Sequence, residues 1–301
     1  MRSLAEWIMR GRGQAVVAVA GLAVVSLAIP LVGLLSAAAL ALVTLRKGAR
    51  ESAWVLVFSS LVTGAMGALL TGSVYLATAY GLLLWVPVWL TAILLREGGQ
   101  LALTLEAALG LGVLAVLAVY LLVPEPAHMW QESLQRLLRP MLEHAPPGFD
   151  PAPVTQNIEV FSHYMSGIAA AGSVMGLILA LLLARWWQGM LFNPGGFRAE
   201  FVGLRLHAAI AYLALGSLMA ALVGGGLVAE IAWNVTLLFF VLFLVNGFAI
   251  LHALSASKGA KRFWLAGIYI AAFIIPQVLL PVALFGLSDV WMNWRRRLSH
   301  A

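Results

Sequence analysis

Few side chains in this sequence can do chemistry at membrane depth, and they are spaced in an informative way. Glu106 lies inside the apolar run Leu101–Val123. Glu230 and Asn234 are four residues apart, so on a helix they share a face. His252 follows Glu230 by 22 residues, about 40° away in direction at 100° per residue. If one helix covers this run, Glu230, Asn234 and His252 form a stripe, and Asn246 points nearly opposite. A charge at the bilayer centre costs about 2.5–3.5 kcal/mol on insertion scales. Such residues therefore mark either a polar cavity between helices or the wet ends of helices. Glu106 has the same two readings: a cavity group, or a carboxylate snorkelling to the near interface.

Aromatic side chains extend the pattern. Tyr75, Tyr80, Trp85 and Trp89 share one segment, with Pro87 expected to kink it. Trp186, Trp187, Trp291 and Trp294 fall at segment ends, where an interfacial belt places them. Tyr75 and Tyr80 either belong to that belt or line a ligand pocket. The candidate small-molecule site is accordingly Tyr75, His163, Tyr164, Glu230, Trp233 and Asn234, with Glu106, Asn246 and His252 as further intramembrane polar residues. Enzyme chemistry finds no support. There is no phosphate-binding loop, no H-E-x-x-H and no G-x-S-x-G. The six histidines are scattered, and none pairs at i, i+4. With no cysteine, disulfides, iron–sulfur clusters and zinc thiolates are excluded. No catalytic residue, metal or cofactor is expected.

The elements that must position these groups are membrane helices. Of 301 residues 62% are hydrophobic and 10% charged, against roughly 25% charged in an ordinary soluble domain. That composition excludes a soluble enzyme, a disordered chain and a secreted disulfide scaffold. The net charge of +6 reads as basic residues flanking membrane spans rather than as a nucleic-acid surface. The basic start followed by an apolar run has the look of a signal peptide. Because apolar segments recur along the whole chain, it reads as an uncleaved first anchor.

Eight apolar stretches follow one another: Gln14–Leu45, Ser52–Leu70, Ser73–Leu95, Leu101–Val123, Ser166–Trp187, Leu206–Leu227, Ile231–Leu254 and Phe263–Leu287. The first is too long for one span, about 48 Å as a helix against a hydrocarbon core of about 30 Å. Pro30 divides it into Ala15–Ile29 and Leu31–Leu45. These are expected as a shallow hairpin or two tilted crossings, with one steeply tilted helix as the alternative. The expected fold is an all-α polytopic bundle of eight or nine transmembrane helices, one integral membrane domain over 1–301. Its parts are N-terminal helices over 14–123, an extracytoplasmic amphipathic loop over 124–165, C-terminal helices over 166–287 and a basic tail over 288–301.

Charge placement orients the bundle. If the first stretch crosses twice, thirteen of the 18 basic residues share the side of the N-terminus, which the positive-inside rule makes cytoplasmic. The loop Pro124–Met165, with Glu125, Glu132, Glu143, Asp150 and Glu159 against Arg136 and Arg139, then lies outside. Nine crossings would put Arg295, Arg296 and Arg297 outside as well. A last segment bent at Pro276 and Pro281 would bring them back. Within the loop, Trp130, Leu134, Leu137, Leu138, Met141 and Leu142 recur at helical spacing. They suggest an amphipathic helix on the membrane surface, kinked at Pro140 and ended by Pro146-Pro147-Gly148. Val154, Ile158 and Phe161 suggest a second short helix. This lobe is either a lid or a gate over an outward cavity. Gly172-x-x-x-Gly176 and Ala37-x-x-x-Ala41 fit close helix packing.

Two C-terminal stretches carry a resemblance. Asn246-Gly247-Phe248-Ala249-Ile250-Leu251-His252, and Gly286-Leu287-Ser288-Asp289-Val290-Trp291-Met292-Asn293-Trp294-Arg295, resemble the YybS-like family of uncharacterised bacterial membrane proteins. The likeness covers about the last sixty residues. Asn246 stands where that family usually has Gln, and Asn293 where it usually has an acid. The motif positions are Asn246, Gly247, Gly286, Asp289 and Arg295. That family is similar to the substrate-capturing S-components of energy-coupling-factor importers. The resemblance implies a bacterial inner-membrane bundle that binds a small molecule and depends on a separate energising partner, having no ATPase of its own. No vitamin-binding signature is present, and this chain is longer than a typical S-component. The Asp289/Arg295 pair, near a terminus, is expected to serve docking or topology before substrate binding. The competing expectation is a membrane scaffold or assembly factor that holds protein partners through the outer loop or the basic tail.

Overall fold

The computed structural model describes residues 1–75, 79–144, 146, 148–257 and 262–299. Lys258, Lys261, Pro147 and His300 lie outside the described residues. The protein is all-α: 87% is helical, and no strand occurs among the described residues.

The chain opens with the short helix α1 (Arg2–Met9) and then α2 (Arg12–Val25) and α3 (Val32–Lys47). The long first stretch does break at Pro30. Its two halves are about 21 and 24 Å long, too short to span singly. They pack together as a hairpin whose outer ends meet at one face, where Arg12 binds Glu51 through two hydrogen bonds of 2.7 and 2.5 Å. The run Ala37–Val43 in α3 has essentially no exposed surface. A helix apolar on every side belongs inside a bundle, and small alanines let neighbours close on it, Ala37 and Ala41 included.

Ser36 joins three elements here. Its hydroxyl donates to the Val19 carbonyl at 2.7 Å and accepts from Trp85 Nε1 at 3.1 Å. Trp85 is wholly buried, so its N–H needs that partner. Replacing Ser36 with alanine strands a buried indole N–H and should lower stability by about 1–3 kcal/mol. A denaturation midpoint in detergent, compared with Trp85→Phe in the same background, measures it. If the alanine variant melts with the wild type, the bridge contributes nothing.

Helix α4 (Ala49–Thr71) follows, and then a π-helical turn, Tyr80–Trp85, leading into α5 (Val86–Gly98). The wide turn directly precedes Pro87, which lacks an N–H and crowds the preceding turn. The expected kink is thus taken up as a π-turn. The next long helix is α6 (Leu101–Leu122). Then come α7 (Pro126–Glu143) and α8 (Ala152–Ser162), which pack on each other as a lobe. Trp130 Nε1 pins the lobe to the bundle by donating to Ser166 Oγ at 2.9 Å. Pro140 lies inside α7, and the helix stops at Glu143, before the Pro-Pro-Gly run.

The second half comprises α9 (Met165–Phe192), α10 (Gly196–Val202), α11 (Ala208–Val223), α12 (Gly226–Ser257), α13 (Arg262–Ile274), α14 (Leu279–Met292) and α15 (Trp294–Ser299). Among the described residues, four helices are long and apolar enough to cross a membrane: Ala49–Leu70, Leu101–Leu122, Met165–Phe192 and Gly226–Ser255. A fifth arises if Phe263–Ile274 and Pro276–Met292, bent by 119°, count as one. Among the described residues, α2 and α11 are shorter apolar helices.

One tryptophan departs from the expected belt: Trp187 is fully buried in the core, as Trp85 is. Gly172 is exposed, with no described atom within 4 Å of where a Cβ would lie, so of the expected Gly172/Gly176 pair only Gly176 faces a neighbour, Leu34, among the described residues.

Candidate functional site

At the lobe end of the bundle, three separate segments bring polar groups together. The last turn of α6 supplies Tyr120, the junction between α8 and α9 supplies His163, and the first turns of α12 supply Glu230 and Asn234. Glu230 is near a helix N-terminus, where the dipole favours a carboxylate. Tyr120 Oη donates to Glu230 Oε1 at 2.7 Å, and His163 Nδ1 lies 2.7 Å from Glu230 Oε2. With 20% of its side chain exposed, Glu230 is the half-covered centre of this cluster.

Asn234 is fully buried beside it. Its Nδ2 reaches Tyr120 Oη at 3.0 Å, the His163 carbonyl at 2.7 Å and the Glu230 carbonyl at 2.8 Å. Two amide hydrogens thus serve three acceptors. Its Oδ1 accepts the Gly167 backbone N–H. A Cβ on Gly167 would fall 2.6 Å from the Asn234 backbone, so only glycine allows α9 this close to α12.

A cavity of about 350 Å³ opens over the cluster. Glu230 and His163 form part of its wall, with Glu125, His128 and Gln131 from the start of α7 and Glu159 from α8. Three carboxylates face it, and no Lys or Arg is among its lining residues. His128 Nδ1 lies 3.7 Å from Glu132. A larger groove of about 570 Å³ runs through the lobe itself. Its charges are already matched in ion pairs, Arg136–Glu132 and Arg139–Glu143, each at 2.7 Å. The smaller cavity is therefore the better candidate, since its carboxylates are less completely neutralised. Among the described residues no group of three or more His, Asp or Glu side chains converges as metal ligands would.

The sequence-derived candidates do not share one place. His163, Glu230 and Asn234 meet as described. Tyr164 and Trp233 pack edge to face, centroids 6.4 Å apart, beside the cluster rather than in the cavity wall. Tyr75 is 81% exposed, after α4, and is no part of the cavity. Tyr80 bonds Ser26 at the tip of the first hairpin. The stripe Glu230–Asn234–His252 does not line one cavity. His252 is about 33 Å along α12 from Glu230, where it contacts Tyr269 Oη at 2.8 Å and the Phe201 ring. Shared direction on a long helix is not shared depth.

Glu106 is likewise elsewhere. It is 8% exposed and holds His207 by both its backbone N–H and Nδ1, each at 2.7 Å. That pair caps the start of α11 at the opposite end of α6, about 21 Å from Tyr120. Tyr120, Glu125, His128 and Glu159 were not among the candidates. Their one sequence signal is that polar residues flank both ends of the 124–165 segment.

The C-terminal motif forms a compact clasp. Asn246 Nδ2 donates to the Gly286 carbonyl at 2.8 Å. Gly247 and Gly286 leave α12 and α14 in backbone contact, since a Cβ on either would strike the carbonyl of Val282 or Phe243. Asn293 adopts a left-handed conformation (φ 49°) that turns the chain into α15. Asp289, 2% exposed, then accepts from Arg295 Nη1 at 2.6 Å and from the Trp294 N–H at 2.8 Å. Arg295 Nη2 is 3.4 Å from Asn246 Oδ1. Burial pushes the Arg295 guanidinium below its usual range, and Asp289 opposes that. Arg205 is close enough to repel Arg295. The bent α13–α14 pair therefore returns the basic tail to the end of the bundle that holds Arg205. No family model, curated protein or solved structure matches the chain. The five motif positions nevertheless meet in space, and none of them lines the lobe-end cavity.

Proposed function

We propose that this is a multi-pass protein of the bacterial inner membrane that binds a compact cationic solute at the lobe end. It lacks an ATPase of its own and works with a separate energising partner, in the manner of an S-component. The observation that carries this reading is the cavity of about 350 Å³ faced by Glu125, Glu159 and Glu230, with two histidines but no Lys or Arg among its lining residues. Tyr120 and His163 hold the Glu230 carboxylate in a fixed direction, with Asn234 bonded in turn to Tyr120 Oη and the His163 carbonyl, as a recognition site requires. The likeness of the last sixty residues to the YybS-like family supports the same class. By the positive-inside rule the opposite end, with Arg12, Arg46, Lys47, Arg96, Arg205 and Arg295, is cytoplasmic, as is the N-terminus. The lobe is then extracytoplasmic. The eight or nine segments expected of the polytopic bundle would include half-spans such as the α2–α3 hairpin.

The test is a thermal-shift panel on purified full-length protein with small primary and quaternary amines, each paired with a neutral isostere. The amines should stabilise and the isosteres should not. Glu230→Gln should weaken the best amine by about ten- to hundredfold, the usual cost of losing a charged hydrogen-bond partner. Equal stabilisation by amine and isostere, or undiminished binding in Glu230→Gln, would remove the reading.

The alternative is a scaffold. It is favoured by the exposed Leu137, Met141, Val160 and Phe161 on the lobe. A stoichiometric protein crosslinked through Leu137 in cells, with no amine binding, would select it.

A further inference from the structure

A second groove lies at the other end of the molecule. It is about 290 Å³ in volume and runs between α1 and the C-terminus of α9, lined by Arg2, Glu6, Met9, Arg10, Leu191 and Phe192. Helix α1 is amphipathic, with Ala5 and Ile8 fully buried against the core. Its apolar side is thus already occupied by protein, and its charged side borders the groove. Arg2 Nε binds Glu6 Oε1 at 2.9 Å, which neutralises the one acid present. Arg10 has no partner among the described residues. From the far side, the Arg46 guanidinium sits 4.2 Å from the Phe192 ring centroid. Neighbouring cations are committed elsewhere: Arg12 to Glu51, Arg96 to the Leu45 carbonyl, Arg185 to Glu200.

The groove therefore joins two unlike surfaces. Guanidinium groups with an excess of positive charge stand beside an apolar floor of Met9, Leu191 and Phe192. Phe192 ends the span Met165–Phe192, so the groove lies at the level where headgroups meet acyl chains. We propose that this groove binds one anionic glycerophospholipid, with its phosphate on Arg2 and Arg10 and an acyl chain along Leu191 and Phe192. Free phosphate would satisfy the guanidinium groups and leave the apolar floor bare. A zwitterionic lipid would bring its own cation against Arg10. The site is independent of the lobe-end cavity and stands whether or not that cavity binds a cation.

The experiment is native mass spectrometry of the full chain released from nanodiscs of equal phosphatidylcholine and phosphatidylglycerol. Wild type should retain phosphatidylglycerol over phosphatidylcholine by about tenfold, in line with a few surface cations acting together. Arg2→Gln/Arg10→Gln/Arg46→Gln should fall to parity, and the corresponding triple lysine variant should keep most of the preference. Arg10→Gln alone loses no partner within the protein, so folding is not at issue, and it should show a partial loss. Arg136→Gln/Arg139→Gln on the lobe should behave as wild type. Parity in the wild type, an undiminished preference in the triple glutamine variant, or equal loss in the lobe variant would overturn the proposal. Release of the lipid by millimolar inorganic phosphate would overturn it too, since the site would then be one for free phosphate.

Discussion

Replacing Asp289 with alanine is expected to destabilise the protein by about 3–5 kcal/mol, the usual cost of stranding one member of a buried ion pair. Arg295 would keep its place between α12 and α14 with no carboxylate beside it. Its Nε already lacks a partner, and Arg205 repels it. The Trp294 N–H would lose its acceptor at the same time. The double variant Asp289→Ala/Arg295→Met removes both charges and fills the space with apolar surface, so it should recover much of the loss. Thermal midpoints of wild type, both single variants and the double variant in one detergent form the necessary cycle. Additive losses would mean that the two residues act separately and that the clasp is not held by their pairing.

Asn234→Leu is expected to have the second largest effect, on the order of 3 kcal/mol, from several buried polar groups left without partners. The Gly167 N–H, the His163 carbonyl and Tyr120 Oη would each lose a bond. Leucine branches at the same carbon and is larger than asparagine, so no cavity is opened and the loss is not a cavity effect. Hydrogen exchange supplies the local readout. The Gly167 amide should exchange much faster in the variant, while amides in the core of α3 stay protected. Unchanged protection at Gly167 would show that the asparagine is not what ties α9 to α12.

These two sites differ in how far the sequence disclosed them. Glu230 and Asn234 were legible because four residues on a helix make one face. Their partners were not, because Tyr120 and His163 arrive from other segments, and local periodicity carries no information about tertiary approach. His252 was misplaced for a related reason. Angular position on a helix is readable from spacing, but depth depends on where the helix begins and how long it runs, and α12 is 32 residues long. The break at Pro30 was legible because length alone forbade one straight span. Trp187 misled, since position at a segment end is also compatible with a buried indole, and its Nε1 has no hydrogen-bond partner among the described residues. The motif residues Asn246, Gly247, Gly286, Asp289 and Arg295 could be named without any indication that they meet.

The enclosed run Ala37–Val43 of α3 has a consequence for biogenesis. One wall of its enclosure is α9, which includes Gly176 beside Leu34. More than a hundred residues separate the two helices in the chain. At about 5–20 residues per second, α3 waits roughly ten seconds after its own synthesis before α9 exists to cover it. During that interval it must lie against lipid, against the insertion machinery, or against α2 alone. Truncated nascent chains ending before Met165 should therefore hold the Val32–Lys47 segment accessible to lipid-phase photocrosslinkers, and chains ending after Phe192 should shield it. The order of synthesis, and not only the final packing, then decides when this protein's core becomes dry.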